Sequence, residues 1–211
     1  ASDVYKRQVF TDGISNITKE DFDWAKRLNK TIKLVAQIDN SMDGFNARVY
    51  PVLVDSKHPL AAIRGALNAV LVEGENINQL VFSGPGAGSA PTASAIIGDV
   101  FSACHQMLSS QTNWYPLRTP KSGDKEFKDV QSSWFIRLSV KDEPGVLATI
   151  AGLFGENNVS IESVIQEGRG DNAELVLVTH EAEENNLTSS IESISKLSSV
   201  SSVTSTIRVY I

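Results

Sequence analysis

Residues 134–154 read WFIRLSVKDEPGVLATIAGLF. In Trp134–Val140, the residues Ile136, Leu138 and Val140 recur with the period of two that lines one face of a strand. Val146, Leu147, Ile150, Leu153 and Phe154 then follow at the spacing of a helical apolar stripe. Pro144 is expected near the first helical position, where its missing N–H costs nothing. Downstream, Val159–Gln166 and Ala173–His180 read as strands joined by the turn Gly168-Arg169-Gly170-Asp171-Asn172. Leu187, Ile191, Ile194 and Leu197 share a face of a second helix. Val203, Ser205, Ile207, Val209 and Ile211 alternate through a last strand. The order β-α-β-β-α-β predicts a ferredoxin-like unit over residues 134–211.

Upstream, residues 109–133 hold two prolines, a Ser-Gly pair and mixed charges, without a sustained period. They read as a linker, with a long surface loop within one domain as the alternative. Before them helix and strand patterns interleave. Thr18 and Asp21 form a capping-box signature opening a helix with Phe22, Ala25 and Leu28. Ile32, Leu34, Ala36 and Ile38 predict a half-buried strand, and Asn46–Val54 a second, in which Pro51 must sit where no ladder donor is needed. His58-Pro59-Leu60-Ala61 starts a short helical turn, and Asn68–Glu73 and Gln79–Ser83 read as further strands. A helix over about Pro91–Leu108 presents Ala93, Ile96, Ile97, Val100 and Cys104 as an apolar stripe. The whole predicts an α+β chain of two regions.

The 211 residues are 41% hydrophobic and 21% charged, which excludes wholesale disorder. No stretch has the apolar length of a membrane helix, and the first ten residues carry no secretory signal. With a single cysteine, Cys104, internal disulfides and zinc–thiolate clusters are excluded, and the chain reads as soluble and cytoplasmic. Cys104 is most simply a small core residue. The net charge is −6, and all of it falls after residue 133, where five basic side chains face eleven acidic ones. Neither region carries a basic stripe, which argues against nucleic acid as a partner.

Two loops stand out chemically. Gly84-Pro85-Gly86-Ala87-Gly88 joins a strand to a helix, where glycines admit close approach and the helix N-terminus favours an anion. Its G-x-G-x-G spacing is not the dinucleotide fingerprint, so a plain tight turn remains an alternative. The second loop, Asp142-Glu143-Pro144-Gly145-Val146-Leu147, places amides at another positive helix end, suited to a small carboxylate. That terminus supplies about 0.3–1 kcal/mol, or about 2 when partly buried. A millimolar ligand needs about 4 kcal/mol, so a second wall is required and simple capping is the alternative. His58, His105 and His180 have no metal-ligand spacing, and Asp12, Asp21 and Asp99 each have an ordinary use as turn, cap or solvated residue.

The run Phe82-Ser83-Gly84-Pro85-Gly86-Ala87-Gly88-Ser89-Ala90-Pro91-Thr92-Ala93 resembles the GPGAG-xx-PTA stretch of homoserine dehydrogenases. Asp12-Gly13-Ile14 with Ile17-Thr18 resembles the family's E-G-I-xx-I-T segment, with Asp in place of Glu. Ile32-Lys33-Leu34, His58-Pro59-Leu60-Ala61 and Asn68-Ala69-Val70 are similar to further family motifs in the same order. The tail separately resembles an ACT domain, the amino-acid-sensing module, through its element order and the D-x-P-G-V-L loop.

The resemblance implies the end of a substrate domain, a mixed sheet with helices over residues 9–108, followed by a linker and an ACT domain over 134–211. Residues 1–8 look unlike the family and are set apart as a candidate foreign or unstructured end. It also implies NAD or NADP as cofactor, contacted by the backbone of Gly84, Gly86, Ala87 and Gly88. Homoserine and aspartate-semialdehyde are the implied substrates, on the route to threonine and methionine. Asp142, Pro144, Gly145, Val146 and Leu147 become the effector-binding candidates, with threonine as the candidate effector. The family's nucleotide-binding domain, catalytic lysine and cation site lie before the E-G-I segment. The chain is therefore expected to be a C-terminal fragment, silent alone. An ACT domain of roughly 75–80 residues buries a modest core, so a homo-oligomer, such as a dimer, is expected. The rival readings are a stand-alone amino-acid-binding regulator without catalysis and an ACT fold used only for pairing.

Overall fold

The computed structural model describes residues 9–41, 44–109, 127–168 and 173–210. The chain divides into two compact units, residues 1–56 with 120–211, and residues 57–119.

The first unit is built on one large sheet. Its strands are β1 (Phe10–Thr11), β2 (Lys30–Ser41), β3 (Gly44–Asp55), β6 (Gln131–Val140), β7 (Ile161–Glu167), β8 (Ala173–Thr179), β9 (Ala182–Glu183) and β10 (Val200–Val209). The order β10-β6-β8-β7 is that of the expected ferredoxin-like unit, with every neighbour antiparallel. The sheet does not stop at β10. Strand β3 joins it in parallel through Val52 and Leu53, and β2 pairs antiparallel along β3. The region before the linker and the region after it therefore share one hydrogen-bonded sheet.

Pro51 occupies a place that tolerates it. The carbonyls of Val49 and Leu53 accept from Asp12 and Tyr210 on one side of β3. Alternation turns the Pro51 nitrogen to that same side, between the end of β1 pairing at Val49 and the start of β10 pairing at Val52.

Both faces of the sheet are packed. Helices α3 (Val146–Glu156) and α4 (Glu184–Ile194) cover one face, where Ile136, Leu138, Ile150, Phe154, Leu175, Leu177 and Leu187 form the larger core. Helix α1 (Lys19–Arg27) belongs to the opposite face, where Trp24 and Ala25 meet Phe135, Val176, Val178 and Ile207. The capping box of Thr18 and Asp21 is present. Ala25 and Leu28 of the expected stripe are packed, but Phe22 is exposed and Asp21 and Trp24 take its place on the buried face. That set has the i, i+3, i+4, i+7 spacing of a true helical face, with a charged residue as its first member.

Three further expectations change. Helix α3 starts at Val146, not at Pro144, because its cap Gly145 adopts a left-handed conformation (φ 94°) that no helical turn contains. The alternation of β10 is broken by register shifts after Val200 and Val203, so Val203 packs in the first core and Ile207 in the second. On β2, Ile32 is packed, whereas Leu34, Ala36 and Ile38 are exposed rather than forming one half-buried face. Ile211 and residues 169–172 of the expected hairpin turn lie outside the described residues, as does most of the linker.

The second unit comprises a 3-10 turn at Pro59–Ala62, the antiparallel hairpin β4 (Leu67–Gly74) and β5 (Asn78–Pro85), and helix α2 (Ser89–Ser109). His58 caps the turn by accepting from the Leu60 amide at 3.3 Å. Of this unit's described apolar residues only Ala61 is buried. The expected stripe Ala93, Ile96, Ile97, Val100 and Cys104 is exposed, so Cys104 is no core residue here. No described helix is long and apolar enough to cross a membrane.

Candidate functional site

The glycine bend connects β5 to α2. Gly84 pairs with Asn68 across the hairpin, and the Gly86 amide donates to the Ala66 carbonyl at 3.0 Å. These bonds hold the bend against the start of β4. The three glycines are there for different reasons. A Cβ on Gly86 would fall 1.8 Å from Asn68 Nδ2, so Asn68 excludes a side chain while it keeps this place. Gly88 has φ +129°, a conformation that L residues avoid, and a Cβ there would lie 3.3 Å from Pro91 Cδ. Gly84 faces open space among the described residues, none of which accounts for its missing side chain. Helix α2 opens just beyond with no acidic residue in its first turn, so its positive end is uncompensated from within. The chemistry on offer is backbone approach and a helix dipole. No titratable side chain takes part.

The second loop lies between β6 and α3. The Lys141 amide donates to Ser199, the Glu143 amide to Lys141, and the Val146 amide to Glu143, which folds the loop into a tight turn. The Val146 amide is thereby already engaged, unlike the open donor expected from sequence. The Gly145 carbonyl accepts from both the amide and the hydroxyl of Thr149, at 2.9 and 3.0 Å. Gly145 is held in its left-handed conformation with open space where a Cβ would point. Asp142 accepts from Gln166 Nε2 at 2.9 Å, tying the loop to strand β7. Asp142, Glu143, Pro144, Gly145 and Leu147 are exposed, while Val146 is anchored in the core. The loop is thus an exposed shelf on a rigid base, with one wall provided by its own domain.

Sequence reasoning missed a set of buried charges. Asp21, read as a cap, also faces Arg137: Nε lies 3.3 Å from Oδ1, outside hydrogen-bond alignment, so the attraction is coulombic. Arg137 further donates to Glu174 at 3.0 Å and to Thr18 Oγ1 at 3.2 Å. On the other side of the sheet Arg208 forks onto Glu184 at 2.7 and 3.0 Å and reaches Asp12 at 3.3 Å. Its guanidinium lies 4.9–5.1 Å from the rings of Phe10, Tyr50, Phe127 and Trp134. The available signal was an isolated arginine within an apolar strand, in FIRLS and TIRVY. Asp12 and Asp21 thus make structural contacts, and Asp99 is an exposed residue of α2.

A polar cleft of about 130 Å³ lies among Gln37, Arg48, Tyr50, Glu181 and Arg208. Its key groups satisfy each other: Arg48 donates to the Tyr50 hydroxyl, which donates to Gln37, and Arg48 also pairs with Asp39. Burial raises the Tyr50 pKa, so the phenol stays neutral.

Comparison with known proteins adds the family. The homoserine dehydrogenase family profile matches residues 1–101, including the first eight residues that motif reading set apart. The ACT domain profile matches residues 134–199. A homoserine dehydrogenase of Mycobacterium tuberculosis is 38% identical over 225 aligned positions, covering 99% of this chain and 49% of the relative. That of Bacillus subtilis is 35% identical, covering 95% of this chain and 47% of the relative. The crystal structure of a homoserine dehydrogenase from Thiobacillus denitrificans superposes with a TM-score of 0.89 at 29% identity, covering 97% of this chain and 48% of that one. The chain spans about half the length of the curated relatives it matches. By these matches residues 1–101 are homoserine dehydrogenase family sequence and residues 134–199 are an ACT domain, in a chain aligned over nearly its whole length with about half of each relative.

Proposed function

We propose that this chain is the C-terminal, cofactor-closing and regulatory part of an NAD(P)-dependent homoserine dehydrogenase, which interconverts homoserine and aspartate-semialdehyde by hydride transfer. One observation carries the reading: no described residue gives a reason for the missing side chain of Gly84, in a bend that leads into a helix N-terminus with no acidic residue in its first turn. A nucleotide gripped by another stretch of polypeptide supplies that reason. Gly84, Gly86, Ala87 and Gly88 then contact it by backbone proximity. When bound, the nicotinamide accepts or delivers the hydride. This chain's own residues only close the site and exclude water.

The ACT domain is proposed to sense a small amino acid at Asp142, Pro144, Gly145, Val146 and Leu147, with threonine as the first candidate. The enzyme is expected to work in the cytoplasm as a dimer or larger homo-oligomer, in which a second copy completes the shelf. The exposed loop with its engaged Val146 amide supports a site that needs such a second wall. The test is calorimetric titration of the chain with L-threonine, repeated on Gly145→Asp. Millimolar or tighter binding that is lost in the variant is expected. Binding that Gly145→Asp leaves unchanged would remove the effector site from this loop.

A further inference from the structure

Helix α1 is tied to the ACT strands by polar contacts that form one connected chain. Trp24 Nε1 donates to Glu174 Oε2 of β8 at 2.8 Å, and Glu174 Oε1 accepts from Arg137 of β6 at 3.0 Å. Arg137 in turn holds the two capping-box residues, Thr18 and Asp21. At the other end of the helix Arg27 forks onto Glu167, the last residue of β7, and lies 3.8 Å above the Trp24 ring. The Arg27 contact holds the Glu167 carboxyl below its ordinary pKa.

The residue beside Glu167 is Gln166, which donates to Asp142 in the exposed loop. Neighbouring residues of a strand point to opposite faces of a sheet. Gln166 and Glu167 therefore connect the two sides: a shift of the loop acts on β7 at Gln166 and reaches α1 at Glu167. Strand β6 offers a parallel connection, since it runs from Arg137 directly into the same loop.

We propose that α1 is the output element of the sensor, moved by the Asp142–Leu147 loop through Gln166, Glu167 and Arg27 and passing that movement to the Asp12–Ile17 segment through its capping box. The naming of the loop as the input rests on the proposed function above; the mechanical link does not. The segment is placed to respond: the Thr18 amide and hydroxyl both meet Asp21, Ile17 packs in the core beneath α1, and Asp12 bonds Arg208.

The link is testable without a ligand, in the ¹⁵N-labelled 211-residue chain. Arg27→Met should shift the amide resonances of Asp142–Leu147. Asp142→Asn should speed hydrogen exchange at Trp24–Leu28 about two- to fivefold, the range an exposed polar contact supports. The double variant should fall short of the sum of the two, because both interrupt one connection, and Arg27→Glu with Glu167→Arg should restore the original pattern. Effects confined to each variant's own contact would overturn the proposal. So would an even loss of protection over the whole sheet, which a merely structural ion pair would give. A threonine arm separates the two readings: threonine that binds the loop and leaves α1 exchange unchanged overturns the link, whereas intact reciprocal effects without threonine binding overturn only the effector assignment.

Discussion

The sheet of the first unit and the hairpin of the second use similar apolar residues to opposite effect. Phe135 on β6 is fully buried, whereas Phe82 on β5 is 62% exposed. At β6, β8 and β10 the large sheet is packed on both faces by helices from its own unit, whereas Leu34 and Ile38 on β2 are exposed. The hairpin β4–β5 and helix α2 leave Val70, Phe82, Ile96 and Phe101 uncovered among the described residues. Two strands and a helix whose described apolar side chains are all at least partly exposed make a marginal structure. Pattern alone does not reveal this, because an apolar stripe records that a face is meant to be covered, not by what.

This contrast can be broken first at its strongest point. Phe135→Ala should cost about 3–5 kcal/mol in urea unfolding of the chain, the usual range for a buried aromatic. Phe82→Ala should stay within about 0.5 kcal/mol, as a surface change does. Equal losses would mean that the hairpin is packed more tightly than described.

Arg137→Met should come close behind. Breaking a buried pair from one side strands its partner, here the fully buried Asp21, at about 3–5 kcal/mol. A loss below about 1 kcal/mol would show that the pair is hydrated.

The glycines sharpen the comparison at a smaller scale. Gly145→Ala places a side chain at φ 94° and should cost about 1–2 kcal/mol. Gly84→Ala meets no atom of the described residues and should leave the unfolding midpoint unmoved. Gly86→Ala should destabilise the bend, and Asn68→Ala should relieve it by removing the clash. If the bend serves only its own folding, that rescue is complete in every respect.

The smallest effect is the Arg27–Glu167 contact. A carboxyl with a lowered folded pKa contributes fully above its unfolded value of 4.5 and loses that contribution as pH falls below it. Protection factors at Trp24–Leu28, corrected for the intrinsic pH dependence of exchange, should therefore drop below pH 4.5 in the parent chain and show a smaller drop in Glu167→Gln.

Much of the fold was legible because the two periods are clean where a face is wholly buried. Trp134–Phe154 and α4 are read directly from spacing. The glycine bend was legible as a strand-to-helix turn, and the structure gives Gly86 and Gly88 reasons of their own in Asn68 and in a positive φ, while the cofactor contact stays a proposal. Other features depend on contacts distant in sequence. Nothing near Arg137 announces Asp21, and nothing near Pro51 announces the gap between β1 and β10. Alternation through β10 could not reveal its two register shifts, since Val203 and Ile207 look equivalent until each is assigned to its core. The β3–β10 pairing was hidden for the same reason, lying beyond a stretch that reads as a linker.

The most direct measurement joins this chain to the other half of a homologous homoserine dehydrogenase and follows hydrogen exchange at the Gly84, Gly86, Ala87 and Gly88 amides as NADPH or NADH is added. Slower exchange at these amides on cofactor binding is the predicted result. Cofactor bound by the other half with exchange here unchanged would contradict the assignment of the bend.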